Sequence, residues 1–275
     1  VSGEGDEGDE GTPPNGDAAA AMPREAAAVG PFFALRTGGV AVGDAGPGAE
    51  GYVPLGAVYR TVGGRAAPPL LSRLDTVSAT LRTDERRVAA SLVFQGLAAR
   101  LWSLALAPAA LHGRVPDLRP DTLWWNPARM APDDLWHPGP WRVHGEPAGL
   151  AGQLSHTGYA HLLPLHHAIR AACPVSGRLL WGNAASALAG SLRVLHDWCR
   201  TRGREDAADR ATALVSALLR TPPLKAAGTL TTAPLAFRRR TCCLYYRVPG
   251  GGLCGDCALS RLPRSERGAG HSGGG

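Results

Sequence analysis

The chain has 275 residues and a formal net charge of +6, enough for one large domain or two small ones. The charge is uneven: residues 1–30 carry seven acids against one base, −6, and the remainder carries 28 bases against 16 acids, +12. Lys225 is the only lysine, so the basicity is arginine in an Ala-, Gly- and Pro-rich composition, and it reads as a solvated basic surface, not a dedicated nucleic-acid site.

Residues 1–30 hold repeated Gly, Pro, Asp and Glu and almost nothing large to bury, so they are expected to stay disordered. The N-terminus is acidic and lacks a continuous apolar core, so no secretory signal is read there. The expected compartment is the cytoplasm, with the protein free or peripheral at the inner face of the membrane; thiols there stay reduced.

Residues 31–60 suggest short extended segments between glycine-rich turns. After Pro68-Pro69, the spacing of Leu70, Leu71, Leu74, Val77 and Leu81 predicts a helix. Asp84 is the expected N-cap of a longer one, along which Val88, Leu92, Gln95, Ala99, Trp102 and Leu106 recur, with Pro108 as its end. The stretch Ser91–Leu111 is the most apolar, but Gln95, Arg100 and Pro108 favour a buried helix over a transmembrane segment.

Residues 113–150 are rich in Pro and Trp and are expected to be irregular, with a short strand near Thr122–Trp125. Gly152–Leu165 suits a short strand or a helix equally. Leu188, Leu192, Leu195 and Cys199 then share a helical face, with Asn183 placed to cap the first turn, and a further helix spans about Asp206–Leu219. No solenoid-length repeat is visible. The fold class is α+β and α-rich: a tail (1–30), a helical body with a small sheet (31–237), a cysteine segment (238–262) and a flexible end (263–275).

Four of the six cysteines fall close together as Cys242, Cys243, Cys254 and Cys257, in the order CC-x10-C-x2-C. Four thiols this near in an intracellular chain point first to a metal. A structural zinc site commonly uses two short-spaced pairs, whereas adjacent side chains such as Cys242 and Cys243 diverge. A dinuclear iron–sulfur unit shares four thiolates between two metals and relaxes that demand. Iron–sulfur, zinc, and disulfides or no metal all stay open on this chemistry. Gly250–Gly252 allow a tight reversal, backbone N–H groups around Gly255 and Asp256 are candidate donors to sulfur, and Arg238, Arg239, Arg240 and Arg247 would offset cluster charge.

The run RRTCCLYYRVPGGGLCGDC resembles the C-terminal signature of the FhuF-type ferric-siderophore reductases, and RVAASLVFQGLAARLWS and LLWGNAASAL resemble the body of that family, especially actinobacterial members. The resemblance implies one [2Fe–2S] cluster on Cys242, Cys243, Cys254 and Cys257. It implies an oxidoreductase that passes single electrons to Fe(III) in an imported siderophore of unspecified class. With no complete flavin or nicotinamide fingerprint, an external one-electron donor such as a ferredoxin is the expected partner. Two other readings stand beside it: a zinc-stabilised binding module, and a siderophore-biosynthesis relative without redox activity.

Trp124, Trp125, Arg129, Trp141 and Arg142 are the candidate substrate platform, against the plainer reading of satellite core. Arg86-Arg87 and Arg238–Arg240 are candidates for docking an acidic electron donor. His156, His161, His166 and His167 match no ligand spacing and read as surface or hydrogen-bonded residues, while Cys173 and Cys199 read as buried apolar side chains.

Overall fold

A computed structural model describes residues 16–38, 46–139, 142–143 and 149–263. In chain order they form α1 (Gly16–Ala27), β1 (Arg36–Thr37), α2 (Gly46–Ala49), β2 (Val53–Pro54), α3 (Leu55–Val58), β3 (Thr61–Val62), β4 (Arg65–Ala66), α4 (Pro68–Thr80) and α5 (Arg86–His112). There follow β5 (Trp124–Trp125), β6 (Leu135–His137), α6 (Leu150–Ala172), α7 (Gly177–Arg200), α8 (Glu205–Leu219), β7 (Gly228–Thr232) and β8 (Leu235–Arg239). The α-rich α+β class is as read from the sequence.

Helix α5 is the axis of the body, packed against α1, α4, α6, α7 and α8. It is apolar on nearly every side, which is what a helix surrounded by others requires. It is the one helix among the described residues long and apolar enough to cross a membrane, but 78% of its apolar stretch is buried inside the fold. Helix α6 approaches it at Gly158, where any Cβ would collide with the Trp102 ring. Pro108 does not end α5: the helix runs on to His112 and closes at Gly113, whose φ of 66° is left-handed. Arg210 and Arg204 donate from beyond α7 to the carbonyls of Ala110 and Leu111, which lie in the last turn where no helical N–H follows to pair them.

A small sheet lies to one side in the order β1-β6-β5-β2, with β1 parallel to β6 and the other pairs antiparallel. Its link to the body is Arg100 of α5, a guanidinium only 2% exposed. Nε donates to Asp134 at 2.8 Å, and the two terminal nitrogens donate to the carbonyls of Pro31, Phe32, Ala34 and Pro132. Burial pushes the arginine pKa down and the Asp134 pKa up, while the ion pair opposes both shifts. Removing one partner of such a pair commonly costs about 3–5 kcal/mol, because the other charge stays buried.

Several expectations are corrected by packing. The segment 1–30 was expected to be disordered, yet Gly16–Ala27 is helical and buries Met22 and Ala26 against the body. The cap before α5 is Glu85, not Asp84, and Thr83 Oγ1 accepts the Glu85 N–H. The ambiguous stretch at 152–165 lies inside the long helix α6. Asn183 is no cap, because α7 begins at Gly177 and carries it fully buried in its interior. Leu188, Leu192, Leu195 and Cys199 do share the buried face of α7, and Trp124–Trp125 is a strand.

Of the clustered histidines, His161 is buried: Nε2 donates to Leu118 O at 2.7 Å and Nδ1 accepts from Tyr59 Oη at 2.9 Å. Burial pushes its pKa down to about 4. A histidine held neutral stabilises the fold above its unfolded pKa and loses that contribution as pH falls through the folded value. Lowering the pH from 7 to 5 is therefore expected to remove about 2 kcal/mol through this one residue. Urea unfolding of wild type and His161→Gln at both pH values checks this, with the variant weaker at pH 7 but less sensitive to acid.

Candidate metal centre

The cysteine segment begins where the β7–β8 hairpin ends. Strands β7 and β8 pair from Gly228↔Arg239 to Thr232↔Leu235, and Arg240 N extends the ladder to Ala227 O at 2.8 Å. The chain then crosses α7 at Gly182, where a Cβ would overlap Thr241 Oγ1. Leu244 turns left-handed at φ 69°, and a short 3-10 turn spans Tyr245–Arg247. The reversal follows at Gly250, with φ 74°, and at Gly251, where a Cβ would strike the Tyr245 carbonyl. That reversal brings Cys254 back beside Cys243.

The two thiols are in hydrogen-bond contact. Cys243 is pushed down to about 6, first by the hydrogen bond from Cys254, with the Tyr245 N–H and the Arg239 charge assisting and burial opposing. The same hydrogen bond, with burial, pushes Cys254 up. The two shifts run in opposite directions, so the Cys243–Cys254 contact favours negative charge on Cys243.

Each of the four sulfurs has a nitrogen donor. Leu244 N donates to Cys242 Sγ at 3.3 Å, and Leu259 N donates to Cys257 Sγ at 3.4 Å. Tyr245 N serves Cys243, and Arg239 Nη1 lies 4.0 Å from Cys254 Sγ. Three of these are the N–H of the residue two places on, so the loop itself surrounds its sulfurs with positive dipoles. The donors are not the amides at Gly255 and Asp256 that the sequence suggested.

Arg239 is the central side chain of this arrangement, 2% exposed. Its Nη2 donates to Asn183 Oδ1, and Asn183 Nδ2 donates to the Ser91 carbonyl and hydroxyl, both at 2.8 Å. Ser91 Oγ in turn donates to Cys243 O at 2.7 Å. Arg239 N reaches Asp256 O at 3.1 Å, and the Asp256 carboxylate accepts from Ser186 Oγ at 2.6 Å and Arg193 Nη1 at 2.8 Å. Helices α5 and α7 thus grip both ends of the cysteine loop.

These residues fit a thiolate-bound cluster. Buried Arg239 Nε has no acceptor among the described residues, which suits a position next to anionic sulfur. Among the described residues no three His, Cys, Asp or Glu side chains gather around one point where a single ion would sit.

Other candidates are placed differently. Trp125 is buried and lines a cavity with Arg73, Arg100 and Asp134, Trp124 packs edge-on to Trp136 at 6.2 Å, and Arg129 and Arg142 are exposed. Trp141 lies outside the described residues. Of the docking arginines, Arg238 and Arg240 are exposed, but Arg239 is not available to a partner. Arg86 and Arg87 are paired with Asp75 and Glu85. Sequence reading missed Ser91 and Ser186, and gave Asn183 and Asp256 other roles, a helix cap and an amide donor; the signal was a polar residue interrupting an apolar helix face or set within the C-x2-C pair.

Residues 239–259 match the family model described as the FhuF 2Fe-2S C-terminal domain, a span that includes all four clustered cysteines and Arg239. No curated protein matches the chain. The chain therefore carries a C-terminal domain of the FhuF type, with a [2Fe–2S] cluster as its cofactor.

Proposed function

We propose that Cys242, Cys243, Cys254 and Cys257 together ligate one [2Fe–2S] cluster, and that the protein passes its electron to siderophore-bound Fe(III) in the cytoplasm. The observation that carries this reading is the N–H donor at every one of the four sulfurs. Such donors stabilise sulfur-borne negative charge and set where a cluster falls in a potential range of roughly −700 to +450 mV.

When bound, the cluster supplies a reversible one-electron couple. The chain's own residues hold and tune it. Arg239, fixed by Asn183 and short of water, puts a permanent positive charge beside Cys254 and Cys243. That charge favours the reduced, more negative state and eases uptake of an electron. Siderophores hold Fe(III) through hard oxygen donors that suit Fe(II) poorly, so one electron weakens the chelate and releases the metal. Exposed Arg238 and Arg240 beside the loop suit an acidic one-electron carrier such as a ferredoxin as the donor.

Anaerobically purified protein is expected to contain about two irons and two acid-labile sulfides per chain, with visible absorption that dithionite bleaches. Cys254→Ser should lose that absorption and the ferric-chelate reduction together; a colourless wild type with one zinc, or activity that survives in the variant, sinks the proposal. Arg239→Gln should retain the cluster spectrum but lower its midpoint potential by roughly 50 mV or more, while Arg239→Lys keeps most of it. Potentiometric titration followed by electron paramagnetic resonance reads the shift, and an unchanged potential removes Arg239 from the tuning.

A further inference from the structure

A cavity of about 450 Å³ opens beside the cysteine loop, with Cys254 and Asp256 in its lining. Helix α5 supplies one wall through Gln95, helix α7 supplies another through Gly190 and Val194, and Phe32 stands at the rim. The rim is unusually apolar for a surface: Phe32 is 43% and Val194 50% exposed. The two charges in the lining, Arg193 and Asp256, neutralise one another at 2.8 Å.

Two details mark the space as one for a ligand. Gln95 Oε1 is buried without a hydrogen-bond partner among the described residues, an acceptor that an incoming N–H or O–H would satisfy. Gly190 sits in the interior of α7, where glycine weakens a helix relative to alanine. Packing does not require it: the nearest atom to an added Cβ is Arg193 Nη2, at an ordinary contact distance of 3.9 Å. The missing side chain leaves the cavity open instead.

We propose that this cavity seats the ferric chelate, and that Cys254 is the face of the cluster from which the electron leaves. This rests on the reductase reading above. The lining suits a chelate of low net charge with an apolar, amide-bearing backbone, its amide N–H directed to Gln95. The transfer makes and breaks no covalent bond: the reduced centre loses one electron, Fe(III) becomes Fe(II), and the external carrier restores the electron. The Trp125 cavity lies across Phe32 from this one and does not include Cys254.

The test separates binding from redox chemistry by using gallium(III), which has the charge and size of Fe(III) but accepts no electron here. Calorimetric titration of the cluster-loaded protein with a neutral gallium trihydroxamate should show binding that Gly190→Leu weakens about tenfold or more. Val194→Glu, a change at an exposed position, should weaken it likewise. Both variants should keep the wild-type cluster spectrum, midpoint potential and rate of electron transfer to ferricyanide, while losing rate with the matching ferric chelate. Binding that stays within about twofold of wild type in both variants, or a wild type that does not bind the gallium chelate, overturns the cavity assignment. Chelate that binds in the cavity but is not reduced overturns the reductase reading and leaves the cavity assignment standing.

Discussion

A guanidinium withdrawn from water must be surrounded by acceptors or anions, and Arg239 meets that demand in a way that organises the whole C-terminal segment. Its acceptors are Asn183 on α7 and the sulfur of Cys254, and Asn183 is itself held by Ser91 on α5. The charge cannot be satisfied unless the two helices and the loop are all in place. A loop rich in glycine, which would otherwise carry a large conformational entropy, is thereby pinned at both cysteine pairs. The same cation that fixes the loop also acts on the thiolates it holds.

Arg100 applies the same physics on the other side of α5. It gathers the carbonyls of Pro31, Phe32, Ala34 and Pro132 together with the Asp134 carboxylate. In doing so it lays the segment that carries Phe32 along the helix bundle. Two buried arginines therefore position the two irregular segments that face each other across the cavity, one bearing the apolar rim and the other Cys254. Helices α5 and α7 provide the rigid walls between them. Precision at a redox site built on loops comes here from side chains anchored in helices.

The electrostatics of the segment divide by depth. Arg239 lies inside, where weak screening makes its charge effective on nearby sulfur. Arg238 and Arg240 lie outside, flanking it in sequence but turned to solvent by the alternation of strand β8. Three consecutive arginines thus divide between tuning the centre and presenting a positive surface. Arg193, at the edge of the cavity, is neutralised by Asp256 and adds little net charge to it.

The α-rich class, the helices about 70–81 and 206–219, the buried character of α5 and the cysteine constellation were legible in the sequence, because each rests on local periodicity or on short spacing. The extent of α6, the end of α5 beyond Pro108 and the placing of Asn183 were not, because distant partners decide them. Arginines from beyond α7 complete the last turn of α5, and a strand end recruits Asn183 from the middle of a helix. Thiol chemistry could be read from one short string of residues. The cavity beside it required tertiary structure, since its walls come from segments near residues 30, 95, 190 and 255 that only packing brings together.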